Sequence, residues 1–109
     1  YTSGGVVVNI TQNANLSNIP GGARLGTSAN LAGKTATRGV LSATDYVFAS
    51  VGASANPIDC MVLYKDTGTE ATSTLIFIAD DYTNLPLTPN GGGLTLDFAQ
   101  SSADAICRI

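Results

Sequence analysis

The chain has 109 residues, of which 44% are hydrophobic and 12% charged, and it contains no histidine and no tryptophan. Its net charge is −3 with Lys and Arg scattered, so no basic stripe tracks phosphates and nucleic acid is excluded as an expected partner. No apolar run approaches the roughly 20 residues of a membrane-spanning helix, and the side chain that titrates unperturbed near neutral pH is missing. The length fits one domain over residues 1–109, enough for a single core. The chain begins at Tyr1 rather than Met, as a trimmed or processed product would, and shows no signal-peptide pattern.

Gly5 to Ile10 is rich in β-branched residues and predicts a strand. Residues 11–22 turn polar, and Pro20 with Gly21 and Gly22 marks a turn. Ala23 to Thr27 predicts a short strand. Ser28 to Thr37, with Leu31 its only large apolar residue, predicts a loop. The 11–37 region is therefore expected to be polar and flexible. Gly39-Val40-Leu41 opens a second apolar segment, a short strand or turn, and Tyr46 to Val51 fits a strand. Gly52 to Pro57 reads as a loop, its proline unable to donate to a ladder.

Ile58 to Lys65 places Cys60, Val62 and Tyr64 on one face and Asp59, Met61, Leu63 and Lys65 on the other. Apolar residues on both faces predict a central, covered strand. Asp66 to Glu70 is rich in turn formers, and Thr74 to Ala79 predicts the antiparallel return strand. Leu85 to Pro89 is expected to be extended, because each proline restricts itself and its predecessor. Asn90-Gly91-Gly92-Gly93 supplies a tight reversal. Leu94 to Phe98 alternates strictly, with Leu94, Leu96 and Phe98 inward and Thr95 and Asp97 outward. Ala99 to Asp104 predicts a turn, with Ser101 to Ile106 able to hold one helical turn at most. Ala105 to Ile109 predicts a last strand. No segment has an apolar period of 3.6. The expected architecture is all-β: a small antiparallel sandwich or barrel of about six to seven strands.

The same residues argue against chemistry. Asp80-Asp81, with Asp66 and Glu70 nearby, lack the ligand spacing of a calcium loop and read as solvated turns. A glycosidase-like carboxylate pair is not ruled out by spacing, but no tryptophan accompanies it for sugar stacking. Serine, threonine and cysteine nucleophiles lack a histidine base, leaving only Lys34 or Lys65, neither in a motif. Gly91-Gly92-Gly93 precedes a strand and no lysine follows, unlike a phosphate loop. Lys65-Asp66-Thr67-Gly68 matches a phosphorylated pump motif only in scrambled order. Asn9-Ile10-Thr11 and Asn15-Leu16-Ser17 match the glycosylation acceptor pattern, which carries meaning only in a eukaryotic secretory setting. No catalytic residue, cofactor or metal ligand is assigned. Cys60 and Cys107 stand 47 positions apart, as two core thiols or as one disulfide, and two cysteines without histidine make a poor zinc site.

Met61 to Ser73 (Met-Val-Leu-Tyr-Lys-Asp-Thr-Gly-Thr-Glu-Ala-Thr-Ser), followed by Leu75-Ile76 and then Leu85-Pro86-Leu87-Thr88-Pro89-Asn90-Gly91-Gly92, resembles a family of small virion proteins of tailed bacteriophages. Ile19-Pro20-Gly21-Gly22-Ala23-Arg24-Leu25 and Leu31-Ala32-Gly33-Lys34-Thr35 fit the same pattern, so the resemblance spans about residues 16–109. It contains no catalytic signature. It implies a capsid decoration (cement) protein on the outer face of the head, clamping neighbouring major capsid subunits. A tail or head-fibre component suits the same composition. The expected partners are the major capsid protein or other virion proteins, and a homo-oligomer, a trimer at capsid three-fold positions. Edge strands could add to a neighbour's sheet. The cysteine pair departs from the family pattern. The rival of another class is a secreted or cell-surface adhesion or carbohydrate-binding module, which predicts a Cys60–Cys107 bridge.

Overall fold

The computed structural model describes residues 2–3, 6–7, 14–80, 85–98 and 107–108. Among them are nine short strands: β1 (Thr2–Ser3), β2 (Val6–Val7), β3 (Thr35–Thr37), β4 (Val40–Ser42), β5 (Tyr46–Phe48), β6 (Met61–Tyr64), β7 (Leu75–Ala79), β8 (Leu94–Leu96) and β9 (Cys107–Arg108). Every pairing is antiparallel. The sheets are small: β1-β2, β3-β4-β9, β5-β8 and β6-β7. Helix is limited to 3-10 turns at Leu16–Asn18 and Gly21–Ala23. This is a small, mostly antiparallel β-structure, as the composition predicts. Its contacts group into two compact units, residues 1–25 with 52–90 and residues 26–51 with 91–109.

The first unit is organised by the β6–β7 hairpin, at the place where two apolar runs flank a turn-rich segment. Its register is Met61↔Ala79, Val62↔Ile78 and Leu63↔Phe77, and then it jumps to Tyr64↔Leu75. Ile76 is the extra residue of a bulge. In a regular strand Leu75 and Ile78 would face opposite ways, since they are separated by an odd number of steps. The bulge resets the alternation. Leu75 becomes 3% exposed and Ile78 packs with it, while Ile76 is 51% exposed. The simple alternation expected for Thr74 to Ala79 therefore fails at one residue. Nor is β6 a fully covered central strand: its four residues are all half-buried.

The residues that fill the opposite side of this core come from the region expected to be flexible. Leu16 and Ile19 are buried and cluster with Leu75, with Val62, Tyr64 and Ile78 packed against them. A 3-10 turn has three residues per turn, so positions 16 and 19 fall on one side. The turn is closed by Asn18 N–H to Asn15 O (3.0 Å) and Ile19 N–H to Leu16 O (3.0 Å). The segment also extends the sheet past β7. Asn15 bridges Thr74, Leu16 N–H donates to Ser73 O and Leu75 N–H to Ala14 O, both at 2.8 Å. No strand forms over Ala23 to Thr27: Ala23 ends the second 3-10 turn and residues 24–27 are irregular. Gly26 weakens a strand there, and at its start Ala23 N–H and Arg24 N–H bond back to Pro20 O (2.9 Å) and Gly21 O (3.1 Å). Further along, Ile58 and Leu87 exchange two hydrogen bonds, Ile58 N–H to Leu87 O at 2.7 Å and Leu87 N–H to Ile58 O at 3.0 Å. That pairing gives the expected extended proline segment a partner. The Leu85–Pro86 peptide bond is cis.

In the second unit β4 lies between β3 and β9, paired Thr35↔Ser42, Ala36↔Leu41, Thr37↔Val40, Val40↔Arg108 and Leu41↔Cys107. Thr35 to Thr37 was expected to be loop. A two-residue turn folds it onto β4 instead: Arg38 (φ 54°) and Gly39 (φ 77°) both take the positive φ that tight hairpins need. β5 and β8 pair Tyr46↔Leu96, Val47↔Thr95 and Phe48↔Leu94. The period-2 reading holds here: Leu94, Leu96 and Phe98 are half-buried, and Thr95 and Asp97 are exposed. Tyr46 and Phe48, on the matching face, meet edge to face at 4.9 Å and 71°. The triglycine makes the reversal before β8. Gly91 has φ 88°, and a Cβ on Gly93 would stand 3.1 Å from Phe48 O.

Several expectations lie outside the described residues: the ends of the Gly5–Ile10 strand, the Asn9 acceptor site, Asp81, the Ala99–Asp104 turn with its helical alternative at 101–106, and the flanks of the last strand.

The bulge makes neighbouring residues unequal. Leu75→Ala is expected to cost about 2–4 kcal/mol, and Ile76→Thr to stay within about 0.5 kcal/mol. Urea unfolding of the two variants checks this; equal losses would contradict the register.

Candidate functional site

The most organised polar group in the first unit is built on Arg24 and the loop of residues 65–74. Arg24 leaves the second 3-10 turn and folds back over the first. Its Nε donates to Ile19 O (3.0 Å), and Nη2 donates to Leu16 O (2.8 Å) and Ile19 O (2.6 Å). The Leu16 carbonyl already accepts the Ile19 N–H, so Arg24 adds a second donor there and supplies donors to the Ile19 carbonyl at the end of the turn. The outer edge of the guanidinium meets Glu70 in a two-pronged pair, Nη1 to Oε1 at 2.6 Å and Nη2 to Oε2 at 3.0 Å. The Arg24 side chain is 17% exposed and that of Glu70 58%. Each charge holds the other ionised. The hydrogen bond from Arg24 lowers the Glu70 carboxyl below the usual range, and the hydrogen bond to Glu70 raises Arg24 further.

The loop uses its own polar groups to hold its shape. Asp66 Oδ1 accepts the Gly68 N–H at 2.8 Å, an Asx turn that Gly68 completes with φ 79°. Ser73 is 1% exposed. Its hydroxyl donates to Thr69 O (2.9 Å) and accepts the Thr67 N–H (3.2 Å). Thr67 and Thr72 join their hydroxyls at 2.6 Å. A buried hydroxyl left without partners would be costly, and that of Ser73 is satisfied.

The residues weighed as chemistry fall into separate places. Asp66 and Glu70 are engaged in the turn and with Arg24, while Asp80 is exposed just past β7. No group of three His, Cys, Asp or Glu among the described residues could hold a metal ion. Lys34 donates to Leu31 O, and Lys65 is exposed with its N–H on Thr74 O (2.9 Å). Asn15 of the second acceptor pattern is half-buried and pairs with Thr74. Cys60 is a free, half-buried thiol. Burial pushes its pKa up, helped by Asp59 and Asp80, so it is a weak nucleophile. The Cys107 backbone lies in β9, and its side chain lies outside the described residues. Arg24 and Glu70 were missed as a pair. They are 46 positions apart, and nothing in their local sequence links them.

No protein-family model matches the chain, and no curated protein matches it at a significant level.

Two outcomes follow from the charges. Glu70 titrates lower in the folded state than in the unfolded chain, so its share of stability is complete above the ordinary carboxylate range and drains as pH falls through the lowered value. Glu70→Gln is expected to flatten the acid limb of a stability-versus-pH curve; an unchanged limb would contradict the pairing. In a Cys107→Ser variant, Cys60 should react with iodoacetamide at pH 8 more slowly folded than in urea; equal rates would contradict its burial.

Proposed function

We propose that the chain is a structural protein of a tailed-bacteriophage virion, a capsid decoration (cement) protein. It binds the outer face of the head and stabilises contacts between major capsid subunits. The reading rests first on the resemblance over residues 16–109. The observation that carries it is the state of residues 65–73, which hold Lys65 to Gly68 of the most specific phrase of that resemblance (Tyr64 to Gly68 with Pro89 to Gly92). This segment is a loop whose hydroxyls and carboxylates hold its own shape. Such a loop offers contour and hydrogen-bonding edges to a neighbour rather than a reactive group. The free cysteine with a raised pKa and the dispersed lysines fit a non-enzymatic role.

In this role the protein acts by number. Many symmetric copies turn a modest contact into strong net attachment, and a homotrimer on three-fold positions suits closed symmetry. The sheets would then close as the sandwich or small barrel expected from the sequence. Mixing purified protein with undecorated heads tests the proposal. Saturable coating, with greater resistance of the heads to heat, is expected. A protein that neither coats empty heads nor cofractionates with virions would overturn it.

A further inference from the structure

We propose that the open edge of β3 is a docking site for an extended, acidic protein strand. β4 has partners on both sides, whereas β3 pairs only with β4 among the described residues. All three residues of β3 are exposed, as are Lys34 before it and Arg38 and Gly39 after it. In a two-residue hairpin the residues flanking the turn, here Thr37 and Val40, exchange both hydrogen bonds. The next pair, Ala36↔Leu41, is then a non-bonded one. The Ala36 N–H and C=O therefore point away from β4, toward solvent. One more strand could pair there, a known mode of recognition.

The charges around this edge select its occupant. Lys34 and Arg38 flank Ala36 symmetrically, two residues to either side. No acidic residue precedes Asp45, so the first 44 residues carry three cations and none of the chain's eight carboxylates. A second copy is disfavoured. If two β3 edges paired antiparallel about Ala36, Lys34 would face Arg38 of the other copy, and like charges directly opposite destabilise a ladder. The same symmetry favours a strand with carboxylates four residues apart, one opposite each cation. Arg38 adds a further sign. Its φ of 54° is a conformation that Asn, Asp or Gly adopts more easily. A cation is thus held at the tip where a less strained residue would make the same turn.

The site does not depend on which particle carries the partner, so its test has an arm free of the virion reading. The nitrogen-15-labelled full chain is titrated with the blocked peptide Glu-Val-Thr-Val-Glu and followed by NMR. The expected result is a saturable shift of the Ala36 amide, together with Lys34 and Arg38, and none with Lys-Val-Thr-Val-Lys. Ala36→Pro removes only the outward N–H, a change an edge strand tolerates, and should abolish the shift of neighbouring residues. Arg38→Gly cannot disturb a turn with positive φ, and should weaken the peptide up to about fivefold, the range of an exposed ion pair. No shift at Ala36, an equal response to the basic peptide, or an oligothymidylate that competes at Lys34 and Arg38 without moving Ala36 would each overturn the proposal. On undecorated heads the two readings separate. Wild type that coats while Ala36→Pro does not supports both, and equal coating by the two overturns the docking site alone.

Discussion

The first unit depends on a single guanidinium. Leu16 and Ile19 reach the core only if their turn stays folded against the start of β7. A 3-10 turn this short has no stability of its own. Two hydrogen bonds to the backbone around β7 place it, and Arg24 locks it by gathering the carbonyls of Leu16 and Ile19 while holding Glu70 across the loop. Burial supplies the attraction and Arg24 supplies the geometry. The pair is therefore worth more as a clasp on apolar residues than as an exposed ion pair, whose own worth is small.

Much of the strand pattern could be read from the chain, and the failures have identifiable causes. Leu94 to Phe98 alternates because one face is half-buried and the other wet, so period and burial agree. Met61 to Tyr64 and Leu75 to Ala79 were legible as a hairpin because apolar runs flank a turn-rich loop. The bulge at Ile76 was not legible. Ile76 is as apolar as Ile78, and only the partner strand decides which of them is left over. Leu16 and Ile19 were hidden for a different reason. Two apolar residues among asparagines and serines resemble solvent-facing loop until a three-residue period is considered. Thr35 to Thr37 was misread because an arginine stands where a hairpin turn usually shows Asn or Gly.

The candidate site was less legible than the fold. Absence of histidine says nothing of what the acids present do. Asp66 caps a turn and Glu70 meets an arginine from a distant segment. Both roles emerge only when the chain is folded. The outcome is a division of labour. Polar side chains in the first unit hold loops in shape, while the exposed Lys34 and Arg38 of the second unit flank β3.

Amide hydrogen exchange tests the central clasp most directly. The account predicts that the amides of Leu16, Ile19 and Leu75 are protected together in the wild type, and that Arg24→Gln releases Leu16 and Ile19 while the β6–β7 ladder stays protected. Rapid exchange at Leu16 and Ile19 in the wild type, or protection untouched by the Arg24 substitution, would contradict it.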